Sequence, residues 1–108
     1  MSVKISHENG KITAKLMGEI DHHTAKAMRE EIDSEAEKIK PAVLYLDFSE
    51  VQFMDSSGIG LVMGRFRQME LLGGKLRVIN VPEHLERIMA LSGLGALGVL
   101  TNEGKVKK

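Results

Sequence analysis

Apolar and polar positions set the first elements of this chain. Val3–His7 reads as a short strand. Lys11–Met17 alternates with a period of two, Ile12, Ala14 and Leu16 on one side and Lys11, Thr13 and Lys15 on the other. The Asn9-Gly10 pair between them is a strong hairpin signal. Gly18–Asp21 then leads into a helix from about His23 to Lys40, in which Ala25, Met28, Ile32, Ala36 and Ile39 recur at helical spacing. Asp21 or Thr24 is suited to cap its start. Pro41 ends it, because the residue before a proline avoids the α region.

Val43-Leu44-Tyr45-Leu46 is almost continuously apolar, as expected of a central strand. A turn is expected over Asp47–Val51. After Asp55-Ser56-Ser57-Gly58 a second amphipathic helix follows, with Ile59, Val62, Met63, Phe66 and Met69 on its inner face and Gly73-Gly74 at its end. Lys75–Asn80 reads as a strand. Asn80-Val81-Pro82-Glu83 resembles a capping box with a proline inside it, opening a third helix that uses Leu85, Ile88 and Met89 and stops near Gly93. A short strand is expected at Val99-Leu100.

The order β-β-α-β-α-β-α-β predicts an α/β fold. Its sheet should be mixed and mostly parallel, of four to five strands, with right-handed crossovers, an antiparallel hairpin at one edge and three to four helices. The 108 residues suit one domain spanning 1–108, with a core over about 3–101 and a polar tail, 102–108, expected to fray.

Charge changes the picture by exclusion. Lys plus Arg and Asp plus Glu both number 15, so no basic surplus favours nucleic acid as a main partner. Cysteine is absent, which removes disulfides, thiolate metal sites and thiol nucleophiles. No run approaches the ~20 apolar residues of a membrane span, and the N-terminus lacks the apolar stretch of a signal peptide. A cytoplasmic protein without membrane association is expected.

The candidate chemistry sits at Asp55-Ser56-Ser57-Gly58. Asp and Ser at a loop-to-helix junction are ordinary N-caps. Three capping-type residues in a row nevertheless exceed what one helix start requires. Gly58 and Gly60 follow within the first turns, each about 1 kcal/mol less favourable there than Ala, and glycine lets another molecule approach the backbone. Helix N-termini also favour anions. Enzyme motifs fail: Met54 breaks the Gly-x-Ser-x-Gly elbow, and Gly58, Gly60 and Gly64 are spaced one residue too far for a dinucleotide fingerprint. His22-His23 are adjacent and so do not converge on a metal; a solvated helix start is the better account. Asp21 reads as a cap or turn residue, with a functional role left open. Arg65, Arg67, Arg77 and Arg87 read as solvated faces, and the methionines as core. The residues favour an interaction surface over an active site.

Two blocks, Gly18-Glu19-Ile20-Asp21-His22-His23-Thr24-Ala25 and Phe53-Met54-Asp55-Ser56-Ser57-Gly58-Ile59-Gly60 followed by Gly64-Arg65, resemble the STAS domain family. Within it they are most similar to the anti-sigma factor antagonists, the Asp-His-His-Thr block leaning towards the sporulation branch. Leu91-Ser92-Gly93-Leu94 also resembles the family, and the likeness extends over about 3–101. It implies the STAS fold and a regulatory binding protein rather than an enzyme. The unphosphorylated form would bind an anti-sigma factor that is also a serine kinase, releasing the sigma factor. Phosphorylation of Ser56 would end that binding, and a PP2C-type phosphatase would reverse it. Asp21, Asp55, Ser57, Gly58 and Gly60 are the implied partner-binding residues. The chain itself is expected to need no cofactor, ATP and magnesium being used by the kinase, and to be a monomer when free. The alternative within the family is an accessory subunit of a stressosome or lipid transporter. Family members usually carry a final helix after the last strand, for which Thr101–Lys108 looks too short and polar.

Overall fold

Asn9 and Gly10 both adopt positive φ, 54° and 76°, and so close a two-residue hairpin of the twist that suits paired strands. The computed structural model describes residues 2–100. The hairpin joins β1 (Val3–Glu8) to β2 (Lys11–Ile20), antiparallel from Val3↔Leu16 to Glu8↔Lys11. Helix α1 (His22–Ile39) buries Met28, Ile32 and Ala36, one turn apart. It ends at Lys40 in the left-handed region, where Pro41 stops it. β3 (Val43–Met54) then runs parallel to β2, α2 (Ser56–Leu72) crosses over, β4 (Lys75–Ile79) lies parallel on the far side of β3, and α3 (Glu83–Leu91) follows. A 3-10 turn spans Leu94–Leu97.

The sheet order is therefore β1-β2-β3-β4, with Val43–Leu46 in the interior as expected. The expected fifth strand is present only as a parallel bridge, Val78↔Leu100, with the Val78 amide donating to the Val99 carbonyl at 2.7 Å. The polar tail, 102–108, lies outside the described residues. One apolar core joins the inward residues of all four strands to the helices, Phe48 being the largest side chain fully enclosed in it.

Four expectations need correction. β2 continues past Met17 to Ile20, with Gly18 at φ 85° inside it. β3 continues through the expected turn at Asp47–Val51. Its register against β2 slips between Lys15 and Met17 and again between Gly18 and Glu19, one extra residue entering β3 each time. These bulges change the spacing of core residues to three, so that Phe48, Val51 and Met54 all point inward. The capping box at α3 is not formed. Pro82 is the N-cap without a side-chain bond, because the Asn80 carboxamide is committed elsewhere, donating to Asp47 Oδ1 at 3.2 Å. On α2, Leu61 is buried although it falls outside the expected inner face, while Ile59, Met63 and Phe66 pack half-buried against the core.

Candidate functional site

β2 and β3 end side by side, Ile20 opposite Met54. The Asp55 amide donates to the Ile20 carbonyl at 3.1 Å, so the start of α2 is tied to the end of β2. Two helix N-termini consequently emerge together from the C-terminal edge of the parallel strands, where crossover helices begin.

Each start is capped by an aspartate. Asp21 Oδ1 accepts from the His23 amide at 2.9 Å and the Thr24 amide at 3.0 Å, while Thr24 Oγ1 accepts from the Asp21 amide at 2.8 Å. This is a full capping box. The Thr24 hydroxyl donates onward to the Glu19 carbonyl at 2.8 Å, locking the strand-to-helix corner. The Thr24 amide, aided by the His23 amide, holds the Asp21 carboxyl below the usual carboxylate range against a smaller opposing desolvation. Asp55 Oδ1 accepts from the Ser57 amide at 2.8 Å.

Ser56, the first residue of α2, is exposed, and its hydroxyl has no hydrogen bond among the described residues. Ser57 is half-buried beside it. Gly58 and Gly60, both expected to meet a partner, are placed differently. Gly58 is buried, and a Cβ there would press on Met54, 2.8 Å from its Cγ and nearer still to its sulfur. Gly58 thus serves internal packing. Gly60 is exposed with nothing within 4 Å of a built Cβ. Asp21, Asp55, Ser56, Ser57 and Gly60 share one end of the molecule, with Gly58 beneath them.

Between α1 and α2 a groove of about 670 Å³ opens from this end. His23, Lys26 and Arg29 line it from α1, and Ser57, Gly60 and Gly64 from α2. Arg65 lies at its base, 6% exposed, contrary to the solvated face expected of it. Its Nε meets Asp33 Oδ1 of α1 at 2.8 Å, off the line of a hydrogen bond, while Nη1 donates to the Leu61 carbonyl at 3.3 Å. Burial lowers the Arg65 pKa and raises that of Asp33, which the attraction between the two only partly offsets. The signal missed in the sequence is spacing, since Arg65 falls in helical register with Leu61, Val62 and Met69. His22 and His23 meet edge to face at 5.3 Å, and among the described residues no cluster of three His, Asp or Glu could hold a metal ion. No helix among those residues is long and apolar enough to cross a membrane.

The sequence model of the STAS domain matches residues 2–103. The chain is 32% identical to an anti-sigma F factor antagonist of Paenibacillus polymyxa over 94 residues, which is 87% of this chain and 80% of the relative. It is equally identical to the anti-sigma-B factor antagonist of Bacillus subtilis (strain 168), covering 87% of this chain and 84% of that one. Among solved structures it resembles the anti-sigma factor antagonist SpoIIAA in its unphosphorylated form, with TM-score 0.80 and 28% identity, over 92% of this chain and 85% of that one. The phosphorylated form of the Bacillus cell fate determinant SpoIIAA matches with TM-score 0.72 and 28% identity, over 92% and 88%.

Proposed function

Because the chain belongs to the STAS domain family, we propose that it is an anti-sigma factor antagonist switched by phosphorylation of Ser56. The observation that carries this reading is the exposed Ser56 hydroxyl at the first turn of α2, beside two capping carboxylates. The likeness to a named antagonist in both its phosphorylation states supports it.

In the unphosphorylated state the end of the molecule bearing Asp21, Asp55, Ser57 and Gly60 docks on an anti-sigma factor that is also a serine kinase. Docking displaces the sigma factor. Ser56 Oγ then attacks the γ-phosphorus of the kinase's ATP; the bond to ADP breaks and the hydroxyl proton passes to a base of the kinase. The protein needs no cofactor of its own. The new phosphate brings about −1.5 to −2 charge. In the free domain the amides and dipole of α2 favour an anion at this place. In a closed interface the same charge lies beside Asp21 and Asp55 and must shed water, so the complex separates. A PP2C-type phosphatase resets the switch. The cytoplasm, a monomeric free state and, on the Asp-His-His-Thr resemblance, control of sporulation complete the proposal.

Mass spectrometry after incubation with Mg-ATP and an anti-sigma factor kinase from the same organism tests it. One added phosphoryl group on the peptide containing Ser56 is expected. Label on Ser57, or none on either serine, would sink the reading.

A further inference from the structure

The crossovers from β2 to β3, from β3 to β4 and from β4 to the bridging segment at Leu100 all step in one direction across the sheet. Right-handed connections therefore put α1, α2 and α3 on the same face. The alternation of burial agrees. Ile12, Ala14, Leu44, Leu46, Leu76 and Val78 are enclosed beneath the helices, whereas Thr13, Lys15, Tyr45 and Arg77 are only half-buried and outside the core. The opposite face of the sheet is uncovered by any helix among the described residues.

The part of that face near the β1–β2 hairpin carries an excess of positive charge. Its rows run across the strands by register. Glu8, Lys11, Val43 and Lys75 form one, and Ser6, Thr13, Tyr45 and Arg77 the next. The third contains Lys4, Lys15, Asp47 and Ile79. Of the two acids in these rows, Glu8 is exposed directly opposite Lys11, and Asp47 is 8% exposed and accepts from the Ser49 amide and the Asn80 carboxamide. Among the described residues no ion pair engages any of its five cations. Lys4 stands directly opposite Lys15, a like-charge cross-strand pair that costs stability. A chain of zero formal net charge thus gathers five cations against two acids, Glu8 opposite Lys11 and Asp47 opposite Lys15, on a patch about 15 Å wide at strand spacing. Glu19 and Glu50 lie farther along β2 and β3.

We propose that this basic end of the sheet face, uncovered by any helix among the described residues, is a second docking surface, which takes an acidic segment of a protein partner. Charge complementarity identifies the occupant. The chain's own residues after Leu100 carry Lys105, Lys107 and Lys108 against Glu103 and have the wrong sign. Nucleic acid is disfavoured because Tyr45 is the single aromatic of the face, too few for a stacking platform. An anionic membrane is disfavoured because the exposed large apolar side chains, Phe53, Leu71 and Leu91, lie outside these rows. The proposal is independent of the Ser56 switch.

The test is a titration of the whole 15N-labelled protein with a poly-glutamate peptide. Shifted amides should cluster on β1, β2 and β4, with those of Ser57 and Gly58 unmoved, and affinity should fall steeply as salt shortens the Debye length. Lys15→Glu/Arg77→Glu should weaken binding at least about tenfold, while Arg67→Glu/Arg87→Glu, with the same change in charge on helix surfaces, should leave it within about threefold. Ser56→Asp should leave it unchanged, which separates this surface from the switch. Equal losses in the two double variants, or shifts spread over the helices, would overturn the proposal. So would tighter binding of poly-uridylate or of phosphatidylserine vesicles than of the peptide. Should the first double variant fail to fold by circular dichroism, Lys4→Glu/Lys75→Glu at exposed positions poses the same question with the same outcomes.

Discussion

At Gly58 an added methyl group would meet the Met54 side chain, whereas at Gly60 it would meet nothing within 4 Å. Replacing glycine by alanine inside a helix is worth about 1 kcal/mol in propensity, while forcing a methyl group into packed surroundings costs about 1–3 kcal/mol. Met54 is flexible but 4% exposed, so it yields only in part. Gly58→Ala should therefore destabilise the domain by up to about 2 kcal/mol. Gly60→Ala should stabilise it by about 0.5–1 kcal/mol and, on the proposed function, weaken docking of the kinase proposed as its partner. Urea unfolding of both variants checks the first half of this contrast and calorimetry against the kinase the second. A Gly58→Ala protein more stable than wild type would show that Met54 gives way freely. Asp21 adds a pH signature. Its folded pKa lies below the ordinary 3.8, so its contribution is present above that value and lost as pH falls through the folded one. Asp21→Asn keeps a capping side chain but removes the charge. Its unfolding free energy should fall less between pH 5 and pH 2 than that of wild type, and parallel curves would refute the assignment.

The contact between α1 and α2 turns on one buried charge. Truncating one partner of a buried ion pair costs about 3–5 kcal/mol, whereas replacing both partners by apolar side chains of similar volume is often neutral. The Asp33 side chain is 31% exposed, so water still screens the pair and the lower figure applies in diluted form. Asp33→Ala, which strands Arg65, should cost about 1–3 kcal/mol, and the double variant Asp33→Leu/Arg65→Met should be close to neutral. Equal losses in urea unfolding would mean that the attraction itself, rather than the burial of an unpaired charge, holds the helices together. In pH dependence Asp33 opposes Asp21: burial raises its folded pKa, so its contribution is complete below 3.8 and lost as pH rises through the folded value. Legibility in the sequence follows the reach of each interaction. The Asn9-Gly10 turn, the Asp21 and Asp55 caps and the exposed Ser56 depend on neighbours within four residues, and all were readable. The course of β3 was not, because two bulges set by pairing with β2 replaced a spacing of two with one of three at Phe48, Val51 and Met54. Arg65 was misread because Asp33, its partner, is 32 positions away. The Gly58 contact and the positive rows of the sheet likewise arise only when distant segments meet.

Across the whole molecule the proposed switch must change affinity without remaking the fold, and the placement of Ser56 makes that feasible. It is exposed at a helix start whose first-turn amides favour an anion, and it lies outside the core. Ser56→Ala removes a hydroxyl that holds nothing within the described residues, so it should keep most of the affinity for the kinase while abolishing phosphorylation. Ser56→Asp brings a full negative charge to a surface that already carries Asp21 and Asp55. Upon docking that charge is desolvated among like charges, at a cost of several kcal/mol where no compensating cation is supplied. A loss of 2–3 kcal/mol corresponds to a complex about 30–150-fold weaker at 25 °C. The free variant should unfold within about 0.5 kcal/mol of wild type, since Asp near a helix N-terminus is neutral or favourable. Calorimetry against the kinase, with circular dichroism and urea unfolding of each free variant, separates the two effects. If Ser56→Asp were folded and bound as tightly as wild type, charge exclusion could not be the switch, and a rearrangement requiring the three oxygens of a phosphate would have to take its place. If it failed to fold, the helix start would be less tolerant of an anion than its two capping aspartates imply.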